Sequence, residues 1–427
     1  MATAAVGRLE IRALAADGED PKTFAALARL MADAYPIMGA KTADELARFA
    51  ERMRHYAGDP GTSYVVAERA GALVGVMRLY DYVMNVRGTD RLTGGVGSVA
   101  VSLAHKRQGI ARALLTWYID HYRARNAPFA ILWPYRPDFY RAIGFGYGTP
   151  MHRFRFAPGT LRDDGARGNV RLLDERDVDA LLACDERVRA RSHGLVARHR
   201  TATERLLSEA AVRYVGVEDG AGLRGFMQTS AVSAGDRMRN TDEMIVRDMT
   251  YEDAASQAAL LGFLRAQRDQ FARVVVETQD EALYLISDDP RDGSDLSVLP
   301  PAAHRVAETG LGLMYRILDV PAALATLPAS PTPFTLRLNV KDTYYPATNG
   351  AWTFRFGPNA APQQDGVVPP DVTLSIGIAE LSSVVLGSLR LRDAVANRLA
   401  TLEPADKLAL LDAAFRSEEK PRCNTRF

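Results

Sequence analysis

Apolar and polar positions alternate over Leu9–Leu14, then recur at helical spacing over Asp20–Tyr35 and Ala43–Tyr56. This change of period predicts one strand followed by two helices. Thr42 with Glu45 reads as a capping box opening the second helix. Ser63–Glu68 and Ala72–Tyr82 read as strands joined at Ala70-Gly71. A further strand, Gly97–Val101, runs through His105-Lys106-Arg107-Gln108-Gly109 into a helix. That helix carries Ile110, Ala111, Ala113, Leu114, Leu115 and Trp117 on its apolar stripe. A strand at Phe129–Trp133 and a short helix with a glycine-rich end at Pro137–Gly148 close a unit spanning residues 1–157.

Nearly the same order returns over residues 158–310. Val170–Leu173 leads to helices at Asp177–Val188 and Thr203–Ala211. Strands follow at Val212–Glu218, Leu223–Ser233 and Met244–Met249, then a helix at Ala254–Gln270 and a strand at Arg273–Thr278. The repetition reads as an internal duplication of low identity. Residues 311–427 form a third, α+β unit. Its strands are expected at Phe334–Lys341, Ala351–Phe356 and Val372–Ile376, and its helices at Glu380–Leu386, Leu391–Ala396 and Lys407–Phe415. The proline-bearing Pro358–Pro370 segment reads as a loop.

The turn between Val101 and Ile110 carries the clearest chemistry. A strand entering a helix through a basic, glycine-bearing turn presents uncapped backbone N–H groups to one point in space, where an anion binds. Gly109 removes the Cβ that would block close approach, and Lys106, Arg107 and Arg112 add positive charge. In the second unit Tyr251-Glu252-Asp253 stands at the same place, and its acidic groups would repel a phosphate.

The spacing of Lys106, Gly109 and Ala111 resembles the pyrophosphate loop of the GNAT superfamily of acyl-CoA N-acyltransferases. The whole chain resembles the enhanced intracellular survival (Eis) proteins of that superfamily. The resemblance is carried by SVAVSLAHKRQGIARAL, by FYRAIGFGYG at Phe139–Gly148, by MYRILDVPAAL at Met314–Leu324, and by a final Phe. It implies an α+β chain of two tandem GNAT folds, the second degenerate and without coenzyme A, followed by a sterol-carrier-protein-like domain. It implies acetyl-CoA as donor, held by Val99, Ala100, Val101, Lys106, Arg107, Gln108, Gly109, Ile110, Ala111, Arg112, Tyr135 and Arg136. Tyr140 is then the general acid and the carboxylate of Phe427 the general base. Tyr35 and Ile37 follow the first helix and are expected to line the acceptor site. The implied acceptor is an amine of a polycationic small molecule such as an aminoglycoside, and the implied assembly is a homo-hexamer, a dimer of trimers. A lysine-bearing protein or peptide is the alternative acceptor, and a non-catalytic acyl-CoA or lipid carrier the alternative function.

Bulk properties narrow the field. A chain of 427 residues suggests about three domains at ~150 residues each. A net charge of +1 gives no global field for nucleic acid or anionic membrane. Arg189, Arg191, Arg198 and Arg200 read as a solvated face, since no aromatics interleave them. No apolar run is long enough to span a bilayer, and the first residues lack the apolar segment of a signal peptide. Cys184 and Cys423 are expected as free thiols in a cytoplasmic protein. The seven scattered histidines predict no metal site.

Overall fold

A computed structural model describes residues 8–14, 20–36, 40–162, 169–233, 242–366 and 369–427. The first unit runs β1 (Leu9–Ala13), α1 (Pro21–Ala34), α2 (Ala43–Ala57), β2 (Thr62–Arg69), β3 (Ala72–Val86), β4 (Thr89–Val101), α3 (Ile110–Ala124), β5 (Phe129–Leu132), α4 (Pro137–Ala142) and β6 (Gly146–Tyr147). The Thr42/Glu45 capping box is present at α2. The second unit runs β7 (Met151–Phe156), β8 (Asn169–Leu173), α5 (Val178–Arg189), α6 (Arg200–Ser208), β9 (Arg213–Asp219), β10 (Gly222–Val232), β11 (Glu243–Tyr251), α7 (Ala254–Ala266), β12 (Arg273–Thr278) and β13 (Ala307–Gly310). The third runs β14 (Met314–Ile317), α8 (Val320–Leu324), β15 (Phe334–Lys341), β16 (Gly350–Gly357), β17 (Ala360–Gln364), β18 (Val372–Gly377), α9 (Ile378–Val385), α10 (Leu391–Ala396), β19 (Ala400–Glu403) and α11 (Leu408–Phe415).

The sheets do not respect the expected boundaries at 157 and 310. The first is ordered β1-β2-β3-β4-β5-β14-β6, and the second β13-β7-β12-β11-β10-β9-β8. β7, which begins before 157, joins the second sheet, and β14, beyond 310, joins the first. β7 pairs with β12 and β13, while β14 inserts between β5 and β6. All four residues of β14 are buried, which suits a strand with a neighbour on each side. The third sheet is ordered β17-β16-β15-β18-β19.

Three further expectations change. The β3–β4 hairpin is much longer than Ala72–Tyr82 and Gly97–Val101, because it turns at Arg87-Gly88, both with positive φ. The Pro358–Pro370 segment contains β17, an edge strand, where Pro362 needs no N–H for a second neighbour. The arginine-rich stretch is not a solvated face throughout. Arg198 lies half-buried between Asp185 (2.7 Å) and Asp248 (2.6 Å), and Arg189 is buried against Asp90 and Glu186. Both cysteines are free and buried.

The core of the first sheet packs α3 through Ile110, Leu114, Leu115, Tyr118 and Ile119 against Val65, Met77 and Leu79. A second cluster runs from β3 and β5 through β14 into the third sheet, so the first and third units share apolar interior. This continuity lets the third unit influence groups carried by the first.

Candidate active site

β4 and β5 are parallel and paired only over Thr93–Gly95 and Phe129–Ile131. Beyond that they part, and the Gly97–Val101 edge of β4 faces a cleft. Its pairing with β3 shifts between Val76 and Arg78, and Ser98 takes a φ of 52°. An extra residue in β4 therefore makes a bulge that re-aims this edge.

A cavity of about 630 Å³ opens here. Val99–Val101 line it from the strand, Lys106, Arg107 and Gly109–Arg112 from the turn, and Tyr140 from α4, with Tyr35, Tyr135 and Arg136 also in its wall. Gly109 is the N-cap of α3 with φ 78°, and no side chain caps the helix. A Cβ there would meet no clash, so the glycine is required by its left-handed backbone. The first-turn N–H groups are left for an external acceptor. Lys106, Arg107 and Arg112 have no carboxylate partner among the described residues, in a chain where most arginines are paired. Gln108 does not line the cavity; it accepts from Arg69 at 2.5 Å. Arg136 is exposed and paired with Asp138. Ile37 lies outside the described residues.

Tyr140 is buried in the wall, its ring edge-on to Phe139 at 5.3 Å and to Phe145 at 6.1 Å. Burial, then the neighbouring Tyr35, pushes its phenol well above the ordinary range. It therefore holds its proton at neutral pH, the state a proton donor needs. Tyr35 donates its hydroxyl to the Val99 carbonyl at 2.5 Å and meets Tyr135 edge-on at 5.6 Å. It stands beside the strand edge as well as near Tyr140.

Phe427 is not in this cavity. Its ring packs on Tyr80 and Tyr82, each at 5.1 Å, and those two rings stack in parallel. The Trp133 indole donates to the Thr425 carbonyl at 3.1 Å. The main-chain carbon of Phe427 lies against β4, where a Cβ on Gly97 would approach it to 3.2 Å. A second cavity, about 530 Å³, is lined by Phe427, Trp133, Glu277 and Glu308, with Arg153 and Arg426 beside Glu277. The first cavity thus meets β4 at Val99–Val101, and Phe427 of the second lies against the same strand at Gly97.

The tail reaches this place through the second unit. Arg422 N–H donates to the His193 carbonyl at 2.9 Å, Cys423 N–H to Gln279 at 2.5 Å, and Asn424 to Asp248 at 3.0 Å; Arg426 pairs with Glu277. β11 and β12 part after Val246 and Val276, as β4 and β5 do, and the tail lies in that opening. At the corresponding helix, Asp253 accepts from Ser256 N–H at 2.8 Å in a capping box. Glu252 is held by Arg187 and Arg224. The second unit's helix start is capped by its own carboxylate where the first unit's is open.

Tyr80, Tyr82 and Trp133 were not among the sequence candidates. The Tyr80-Asp81-Tyr82 alternation places both tyrosines on one face of a strand, a signal that marks an aromatic pair but not its partner. No group of His, Cys, Asp and Glu among the described residues could hold a metal, and none of the described helices is long and apolar enough to cross a membrane.

Known protein families and structures resemble the chain over most of its length. An acetyltransferase (GNAT) domain family matches residues 20–148, a second acetyltransferase (GNAT) domain family residues 188–317, and a sterol carrier protein domain family residues 320–424. An uncharacterized N-acetyltransferase of Streptomyces coelicolor is 28% identical over 406 residues, 89% of this chain and 91% of that one. A GCN5-related N-acetyltransferase from Kribbella flavida shares the fold with a TM-score of 0.76 at 19% identity, over 98% of this chain and 99% of that one. Eis1 from Mycobacterium abscessus does so with a TM-score of 0.74 at 21% identity, over 98% of this chain and all (100%) of that one. The chain is a GNAT-family N-acetyltransferase of Eis-like build, with two GNAT domains and a C-terminal sterol carrier protein domain.

Proposed function

We propose that the first domain transfers an acetyl group from acetyl-CoA to an amine of a small polycationic molecule such as an aminoglycoside. The observation that carries this reading is the 630 Å³ cavity, which joins an open strand edge, an uncapped helix N-terminus with unpaired cations, and a protonated tyrosine. A diphosphate fits the turn electrostatically and sterically, since Gly109 presents no side chain. The donor supplies the activated thioester. Lys106, Arg107, Arg112 and the α3 N–H groups hold its phosphates, and the Gly97–Val101 edge orients its arm. The carboxylate of Phe427 accepts the proton of the acceptor ammonium, directly or through water. The neutral amine displaces sulfur as the C–N bond forms and the C–S bond breaks. Tyr140 delivers its proton to the departing thiolate, and the proton that the acylated nitrogen sheds returns through water to restore the phenol.

The second domain binds no coenzyme A in this reading, because Asp253 fills its helix cap and the tail fills its cleft. The acceptor enters by the cavity at Phe427. The protein works in the cytoplasm as a hexamer, a dimer of trimers; light scattering reading near the 46.7 kDa monomer would exclude that assembly. The function is tested by thiol release from acetyl-CoA with kanamycin, spermidine and a lysine peptide in parallel. Turnover with the first is expected. Turnover with the peptide alone would make the chain a lysine acetyltransferase. Tight acetyl-CoA binding with no turnover on any amine would make it a carrier.

A further inference from the structure

The third domain reaches the start of α3 through the segment after β15. Tyr344 donates its hydroxyl to the Arg112 carbonyl at 2.7 Å and lies 2.7 Å from the Thr116 hydroxyl. The Arg112 guanidinium lies over the Tyr344 ring, 4.5 Å from its centroid. Next to it, the Tyr345 hydroxyl bonds Asp120, and Arg123 lies 5.5 Å from the Tyr345 ring centroid. This segment is anchored from below. One oxygen of Asp342 accepts the Tyr344 and Tyr345 N–H groups at 2.9 and 3.0 Å. The other meets Arg316, and both members of that pair are buried, Arg316 completely. Tyr344 is therefore held by an interior ion pair and does not drift as a surface tyrosine would.

Arg112 lines the 630 Å³ cavity and has no carboxylate partner among the described residues. A guanidinium resting on an aromatic face keeps its N–H edge free for a phosphate while losing rotamer freedom in advance. We propose that Tyr344 of the sterol carrier protein domain is a positioning residue for donor binding: it preorganises Arg112 to receive a phosphate group of an acyl-CoA in the first domain. The inference rests on the proposed donor site and deepens it, by making the phosphate end of that site a two-domain structure.

The test is calorimetric binding of coenzyme A, with dephospho-coenzyme A alongside, to the full chain. Tyr344→Leu removes the aromatic face and should weaken coenzyme A binding about fivefold. Tyr344→Phe keeps the face and should recover most of that loss. In an Arg112→Met background the Tyr344→Leu change should have no further effect, because the residue it positions is gone. A smaller loss with dephospho-coenzyme A would place Arg112 on the 3′-phosphate, and an equal loss on the diphosphate; either supports the proposal. Coenzyme A affinity unchanged in Tyr344→Leu, or a loss that persists undiminished without Arg112, would overturn it. If Tyr344→Leu fails to fold, Tyr344→Met of similar length takes its place, with the same two comparisons. No coenzyme A binding by the unmodified chain would defeat the donor site itself, and is thereby distinguished from failure of Tyr344 alone.

Discussion

The ring of Phe427 lies 5.1 Å from that of Tyr80, tilted by 60°, while its main-chain carbon sits over Gly97 on the next strand. Ring and main chain are thus fixed by different groups. The ring's contact gives about 0.5–1.5 kcal/mol beyond area burial for each aromatic pair. The main chain's position depends on a missing side chain. These two constraints can be broken separately.

Adding one Gly after Phe427 keeps the ring and shifts the carboxylate by up to about 3.6 Å. Phe427→Ala keeps a carboxylate and loses the anchor. With the carboxylate as base, the extension should lower kcat while acetyl-CoA binding persists. Full activity in an extended chain verified by mass spectrometry would remove Phe427 from the mechanism.

Gly97→Val places branched carbon where the terminus rests. A displacement of the order of 1 Å at a reacting group costs about 10²-fold. A drop of that size in kcat is expected, with the donor cavity on Val99–Val101 intact. Steady-state kinetics alongside coenzyme A binding would separate the two; equal loss of both would show collapse of β4 instead.

Tyr140→Phe retains the packing against Phe139 and Phe145 and deletes the proton. The expected loss in kcat is about 10²–10⁴-fold, with little change in donor affinity. Because burial raises this phenol, an alkaline limb from its ionisation should lie above the ordinary tyrosine value of about 10. A Tyr140-dependent limb in the neutral range would contradict the assignment. Unchanged kcat in the variant, with chemistry shown to be rate-limiting, would leave Tyr140 a packing residue.

The basic, glycine-bearing turn is legible in the sequence because it is local. Val99, Lys106, Gly109 and Arg112 lie on one continuous strand–turn–helix, so their identities and order imply the geometry. The aromatic seat of Phe427 was not legible. Tyr80, Trp133 and the tail meet only through tertiary contacts, and the tail's own residues, Ser417–Arg426, are polar. The exchange of β7 and β14 was hidden for the same reason: a strand's pattern shows that a face is buried, but not which sheet covers it. Arg198 was misread as solvated because its partners, Asp185 and Asp248, are brought to it by folding.

His193 offers a pH test of the tail's docking. Its Nε2 faces the Leu386 carbonyl at 2.9 Å, its Nδ1 meets Arg87 N–H at 3.3 Å beside the Arg87 guanidinium, and its carbonyl holds Arg422. Burial is the main cause that lowers its pKa to about 4. The folded state holds the ring neutral, whereas the unfolded chain binds a proton below about 6.5. Unfolding therefore takes up protons between those values, and stability must fall as pH drops from about 6.5 toward about 4, by up to about 3 kcal/mol. Chemical denaturation across that window should show the loss, and His193→Gln should flatten it. An unaltered slope in the variant would assign the pH dependence to other groups.

Arg316→Met leaves Asp342 buried without its cation. Breaking a buried pair from one side costs about 3–5 kcal/mol, which should appear as a lowered denaturation midpoint. Replacing both, Arg316→Met with Asp342→Leu, should restore part of it. No recovery in the double variant would mean that the Ile143 and Thr348 contacts of Arg316 matter more than charge.

The exchanged strands bear on how the chain is made. β5 and β6 flank a gap that only β14 fills, so the sheet bearing the donor turn stays unfinished until synthesis has passed Ile317. The second sheet likewise waits with β7 exposed until β12 and β13 arrive. The first sheet therefore closes last, after the whole of the second has been made. A chain truncated before Met314 would leave β5 and β6 as two open edges in the sheet that carries the basic turn.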